Sequence, residues 1–232
     1  ALIAASLASG ESVIKNALLS EDTRVMISCL NEIGVYVKSV PGENALIVKG
    51  GEGTIPVERA RLFAGNAGTV VRFMTAVLTL GNGQYEIDGI ERMRKRPIQQ
   101  LIDALNRLGA DVVSKEGTGC PPVLINAGGL MGGRVEIPGN VSSQYISAIL
   151  LSAPYADNDV RIIITDYLVS KNYVDMTIDV MSKFGVGVER DSYREFCVKS
   201  GQNYKGCKYI VEPDASGASY FFAAAAITGG RV

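Results

Sequence analysis

The chain has 232 residues, 47% of them apolar and 20% charged, with a formal net charge of −1. That length suits one large domain or two small ones with a substantial core, and the balanced charge excludes a global basic field that would draw the chain to nucleic acid or lipid headgroups. Histidine is absent and the four cysteines form no C-x-x-C pair, which excludes imidazole acid–base chemistry, argues against a Cys/His zinc site, and reads as reduced thiols in a cytoplasmic setting.

The opening "ALIAASLASG" is apolar nearly all round and lacks the basic start of a signal peptide. It reads as a helix whose beginning is missing. "AAAAITGGRV" at the other end stops where a strand should start, so both ends are expected to be cuts. No apolar run reaches transmembrane length. A strand, "SVIKNAL", comes next, and then "TRVMISCLNEIGVYV" (23–37), the first of three similar segments. The others are "IQQLIDALNRLGADV" (98–112) and "VDMTIDVMSKFGVGV" (174–188), and their glycines, Gly34, Gly109 and Gly185, lie 75 and 76 residues apart. Self-similarity at a fixed period signals repeated supersecondary units. In the second segment Ile98, Leu101, Ile102, Leu105 and Leu108 form one helical stripe, and the following glycine suits a C′ position, where φ is positive.

Two short strands follow each striped helix, such as "ADVVSK" and "PVLINA", and end at Gly50-Gly51, Gly128-Gly129 and Gly201. A strand precedes each striped helix: "QYEIDGI" and "VRIIITDY" match "SVIKNAL". Before those strands stand helices of another kind, "TVVRFMTAVLTL" and "YISAILLSAP", and "ASYFFAAAAI" begins a further one. A helix without a polar face is expected to be buried on every side. Each unit therefore reads helix, strand, helix, strand, strand. The expected fold is α/β: three repeats of about 1–66, 67–141 and 142–213, with buried helices at the centre and sheets outside, around a pseudo-threefold axis.

Small and hydroxyl residues precede each apolar helix: "GNAGT", "NVSSQ" and "DASGAS". A helix start offers free N–H groups and the positive end of the macrodipole, so several such ends on one face would hold a ligand with more than one anionic group. Simple capping explains any one of them equally well. "RMRKRP" puts Arg92, Arg94, Lys95 and Arg96 ahead of Pro97, the expected N1 residue of the second striped helix. Cations are unfavourable there, so they need solvent or an anion, and one arginine turned inward would grip a carboxylate or phosphate. Ser170 and Tyr173 of "DYLVSKNYVDMT" occupy the same junction one unit later. No Ser-His-Asp set, Walker A loop or dinucleotide fingerprint occurs.

Taken in order, "GNAGTVVRF", "RMRKRPI", "GCPPVLI", "VSSQYISAILLSAPYA", "LVSKNYVDMT" and "DASGASYFFAAAAITGG" closely resemble the 5-enolpyruvylshikimate-3-phosphate synthase family, over essentially the whole chain. "RMRKRPI" with "SSQY" favours it over the sister UDP-N-acetylglucosamine enolpyruvyl transferases. The resemblance implies a two-domain enzyme, each domain built of three βαβαββ units. Its reaction moves the carboxyvinyl group of phosphoenolpyruvate onto the 5-hydroxyl of shikimate 3-phosphate, without cofactor or metal. It implies that Ser142, Ser143, Ser170 and Tyr173 hold the shikimate phosphate, and that Gln144 lies over the shikimate ring. Arg96 would bind phosphoenolpyruvate, Gly68 and Thr69 would flank it where glyphosate also binds, and Asn66 and Arg72 would support that loop; Arg96 and Gln144 are the catalytic candidates. A "GSKS…R" motif and an acid–base half are expected outside these residues, with 214–232 starting the crossover to the missing domain. Asn172 stands where Pro is common, and Phe73 likewise. The expectation is a monomeric parent and an inactive fragment. The alternatives are a stand-alone binding module for phosphorylated small molecules and an enolpyruvyl transferase for another acceptor.

Overall fold

The computed structural model describes residues 1–232, with the side chains of residues 215 and 216 outside the described set. The first segment runs α1 (Leu2–Leu7), β1 (Glu11–Lys15), α2 (Glu21–Glu32), β2 (Tyr36–Ser39) and β3 (Ala45–Lys49). The second runs β4 (Arg59–Phe63), α3 (Gly68–Leu78), β5 (Asn82–Asp88), α4 (Gln99–Arg107), β6 (Asp111–Ser114) and β7 (Val123–Gly128). The third runs β8 (Gly133–Ile137), α5 (Ser143–Ser152), β9 (Val160–Ile164), α6 (Lys171–Lys183), β10 (Glu189–Asp191) and β11 (Glu195–Val198). Then come β12 (Lys208–Ile210) and α7 (Ala215–Thr228).

Each unit holds one strand more than the five-element reading. β4 and β8 open the second and third units and pair in parallel with β5 and β9. The first unit takes its opening strand from the far end of the repeat region, because β12 pairs in parallel with β1. The three sheets accordingly have the orders β12-β1-β3-β2, β4-β5-β7-β6 and β8-β9-β11-β10. The chain closes its ring of units through residues 208–210.

The three periodic glycines end their helices in the same way. Gly34, Gly109 and Gly185 have φ of 88°, 93° and 89°. In each case the glycine N–H and the next residue's N–H return to carbonyls of the last turn: Gly34 to Asn31 and Val35 to Leu30, Gly109 to Asn106 and Ala110 to Leu105, Gly185 to Ser182 and Val186 to Met181. That is the Schellman pattern, which satisfies carbonyls the helix would leave open. A Cβ at Gly34 or Gly109 would also strike Pro56 or Met131, in the chain entering the next sheet. Pro97 precedes the cap residue Ile98, so N1 is Gln99 and not Pro97; a single 3-10 turn, Met93–Lys95, lies just before it.

α3 and α5 are nearly wholly buried, and α1 buries five of its six residues. α1, α3 and α5 share a cavity of about 360 Å³ lined by Ile3, Thr69, Phe73 and Leu151 among others. α7 departs from expectation. Its Tyr220, Phe221, Phe222 and Ile227 are 60–86% exposed. Among the described residues these apolar side chains lie uncovered, whereas those of α1, α3 and α5 are buried. Among the described residues no helix is long and apolar enough to cross a membrane.

Candidate functional site

α3 and α5 each begin a few residues after the opening strand of their unit, β4 or β8, so their N-termini lie at the C-terminal ends of these parallel strands. At the start of α3, simple capping does not account for "GNAGT". The cap position falls on Ala67, and no side chain caps the helix. Thr69 is engaged elsewhere, its Oγ1 accepting from Gln144 Nε2 at 3.1 Å, and the backbone carbonyl of Asn66 accepts from Arg96 Nη1 at 3.4 Å. Gly68 lets the guanidinium approach closely: a Cβ there would lie 2.4 Å from Arg96 Nη1 and 2.5 Å from Nη2. The Arg96 guanidinium thus lies flat against the first residue of α3.

The basic loop divides as its charges demand. Arg94 pairs with Asp88 at 2.5 Å and Lys95 with Glu91 at 2.5 Å, while Arg96, half-buried, turns inward. One turn into α3, Arg72 Nη1 donates to Gln144 Oε1 at 2.5 Å, and its guanidinium carbon stands 5.5 Å from the centre of the Tyr145 ring. Tyr145 in turn donates to the Pro97 carbonyl at 2.7 Å, tying α5 to the arginine loop. Burial pushes the Arg72 guanidinium below its usual value, Tyr145 opposes this, and the neighbouring Arg96 adds to it. Burial likewise raises the Tyr145 phenol, with Arg72 pulling it back. Among the described residues, neither Arg72 nor Arg96 has a carboxylate within ion-pair distance. Two arginines near an uncapped helix start, without a counter-charge, form a locus for an anion.

Thr69 and Gln144 are 75 residues apart and are each the second residue of their helix. Equivalent positions of a repeat can touch only near its rotation axis, so this bond marks the mouth of the axis. Gln144 is held at both ends, its oxygen by Arg72 and its nitrogen by Thr69.

The α5 start behaves differently. Ser142 is its cap and accepts from the Gln144 N–H at 3.3 Å, and Ser143 is the buried first residue. Ser170 is the cap residue of α6 but makes no side-chain cap bond, and its backbone is left-handed at φ 53° and ψ 45°. That conformation costs a non-glycine residue about 1–2 kcal/mol. Tyr173, 61% exposed, lies in the first turn of α6. The two helix starts lie side by side. Ser147 Oγ and Thr177 Oγ1 share a 2.8 Å hydrogen bond, one turn inside Ser143 and Tyr173 respectively. The loops ahead of the helices also join, through Val169 N–H to the Gly139 carbonyl at 3.1 Å.

The structure therefore gathers Asn66, Gly68, Thr69, Arg72, Arg96 and Gln144 into one network, with Ser142 and Ser143 beside it. Ser170 and Tyr173 adjoin through α6 rather than by a direct bond to that network. Ser216 of "DASGAS" lies outside the described side chains. Tyr145, Asp88 and Asp166 were not singled out from sequence, although "SSQY" contains the tyrosine and the period of 75 would have paired Thr69 with Gln144.

Comparison with known proteins agrees over the whole chain. The family model described as EPSP synthase (3-phosphoshikimate 1-carboxyvinyltransferase) matches residues 1–232. The chain is 45% identical over 241 residues to the chloroplastic 3-phosphoshikimate 1-carboxyvinyltransferase of Petunia hybrida, with 100% of this chain and 47% of that protein covered. It is 44% identical over 232 residues to the 3-phosphoshikimate 1-carboxyvinyltransferase of Nostoc sp., with 100% and 55% covered. The solved EPSP synthase of Acinetobacter baumannii superposes with a TM-score of 0.86 at 24% identity, over 97% of this chain and 49% of that one, a likeness of fold. The chain spans about half the length of the curated relatives it matches. By a match that leaves out none of its residues, the chain belongs to the EPSP synthase family.

Proposed function

We propose that this chain is the shikimate 3-phosphate-binding domain of a 3-phosphoshikimate 1-carboxyvinyltransferase. The whole enzyme would transfer the carboxyvinyl group of phosphoenolpyruvate to the 5-hydroxyl of shikimate 3-phosphate and release phosphate. The observation that carries the reading is the pair Arg72 and Arg96, without carboxylate partners, at the uncapped start of α3 and joined to α5 through Gln144. Arg96 would grip phosphoenolpyruvate over Gly68 and Thr69, with fork-like N–H groups suited to a carboxylate or phosphate. Asn66 and Arg72 would hold that loop and the Gln144 amide. Gln144, fixed at both ends, would lie between the two substrates. Ser142, Ser143, Ser170 and Tyr173 would bind the phosphate of the acceptor with hydroxyls and helix N–H groups.

Catalysis in this reading needs a second half that closes over the substrates and brings the acid–base groups. α7, whose apolar face stands exposed, would begin the crossover and pack within that half. The chain alone would bind but turn over negligibly, because preorganisation requires both sets of groups at once. A monomeric, cytoplasmic enzyme without cofactor belongs to the same proposal; the plant relatives are themselves named as chloroplastic. Calorimetric titration of the chain with shikimate 3-phosphate tests the binding, and heat of binding saturating at or below millimolar ligand is expected. Absence of binding at that concentration contradicts it. Phosphate release at a rate typical of whole enzymes, about 1 s⁻¹ or above, would contradict the inactivity of the chain.

A further inference from the structure

Asp166 lies in the loop between β9 and α6, and its carboxylate reaches across to another loop. Its Oδ1 accepts the Gly139 N–H at 2.6 Å. The Gly139 carbonyl accepts from Val169 at 3.1 Å, so both backbone groups of this glycine are tied to the 165–170 loop. No side chain fits at the junction: a Cβ on Gly139 would lie 2.8 Å from Ile164 Cγ2, 2.9 Å from the Tyr167 carbonyl oxygen and 3.0 Å from Leu168 Cα. Gly139 stands three residues before Ser142, and Val169 one before Ser170. One turn beyond Ser143 and Tyr173, Ser147 and Thr177 make the second tie. The two starts are therefore fastened on both sides of the hydroxyl groups.

The second unit lacks this bridge. There Asp88 Oδ1 accepts from its own neighbour Gly89 and from Arg94, and the loops touch through Ile90 N–H to the Gly65 carbonyl. Asp166 makes no ion pair among the described residues. A bare carboxylate beside a phosphate site opposes the anion electrostatically. Its value there has to be geometric.

We infer that Asp166 is a positioning residue: by holding the Gly139 amide it sets the 138–142 loop against the 165–170 loop, so that Ser142, Ser143, Ser170 and Tyr173 converge on one phosphate. The inference rests on the acceptor-binding reading above. Small displacements of a preorganised site cost affinity out of proportion to their size. An asparagine supplies the same acceptor without the charge, and an alanine supplies neither.

The test is calorimetry on the 232-residue chain with shikimate 3-phosphate and, separately, phosphoenolpyruvate. Asp166→Ala is expected to weaken shikimate 3-phosphate about tenfold and leave phosphoenolpyruvate within about threefold. Asp166→Asn is expected to bind both ligands within about threefold of the unaltered chain. Full-strength binding by Asp166→Ala overturns the inference, as does an Asp166→Asn variant as weak as the alanine one. Should Asp166→Ala fail to fold, exchange of the Gly139 amide in the unaltered chain decides. Slowing by about fivefold or more on adding shikimate 3-phosphate supports the clamp, and an unchanged rate contradicts it. An unaltered chain that binds no shikimate 3-phosphate defeats the acceptor-binding reading as well, whereas an indifferent Asp166→Ala defeats only the role of Asp166.

Discussion

The start of α3 with the Arg96 loop ahead of α4, and the paired starts of α5 and α6, occupy equivalent places in the repeat yet carry different chemistry. The α3 end has no side-chain cap, lies flat against Arg96 and borders Arg72. The α5–α6 end is lined with hydroxyls, and part of its capping is done by Ser142 itself. Guanidinium groups offer strong, bidentate, charge-assisted bonds that suit a compact ligand carrying both carboxylate and phosphate. Hydroxyls and helix N–H groups suit a phosphate ester, whose position must be fixed but whose charge the helix ends already favour. Repetition has duplicated the scaffold and left the side chains at its mouths free to diverge.

Replacing the charged group should have the largest effect. Arg96→Ala is expected to weaken phosphoenolpyruvate by about 1.5–3 kcal/mol, roughly 10- to 150-fold, the range for a hydrogen bond to an ion. Shikimate 3-phosphate should stay within about threefold, by calorimetry on both ligands. Equal losses for the two would show that the ends do not act separately. Gly68→Ala should come next. Its methyl would meet Arg96 Nη1 at 2.4 Å and drive the guanidinium away, so phosphoenolpyruvate should weaken about tenfold. The flexible arginine can yield and alanine favours the helix, so the thermal midpoint should not fall. A lower midpoint would mean that the contact is structural.

Ser142→Ala probes the other end. Loss of the cap should cost about 1 kcal/mol, which for a chain of this size lowers the thermal midpoint by about 2–4 °C. Shikimate 3-phosphate should weaken about fivefold, with phosphoenolpyruvate unaffected. The smallest effect is that of salt. Raising sodium chloride from low to physiological concentration should weaken phosphoenolpyruvate by about threefold more than shikimate 3-phosphate, since screening acts on the charged end. Identical salt slopes would remove the contrast between the ends.

The periodic helices and their glycine stops were legible because both signals are local: the apolar stripe and the positive φ sit within about ten residues. The opening strands β4, β8 and β12 were not. Each is at a sheet edge and very short: "RARLF" and "GRVEI" alternate over only five residues, and "KYI" has three, too few to stand out from the loops around them. The exposed surface of α7 is not legible in sequence, because composition reports what a helix can bury, not whether a surface is present to bury it. In the site, residue types were readable and pairings were not. Arg72 and Gln144 are 72 residues apart, and only the packing of α3 against α5 brings them together. The inward turn of Arg96 needed the two carboxylates that occupy Arg94 and Lys95.

The most direct test of two separate, differently built ends is amide shift mapping of the unaltered chain with each ligand in turn. Shikimate 3-phosphate should move the amides of residues 139–144 and 170–174, and phosphoenolpyruvate those of 65–72 together with Arg96. Two ligands moving one common set, or neither moving these residues at millimolar concentration, would contradict the account.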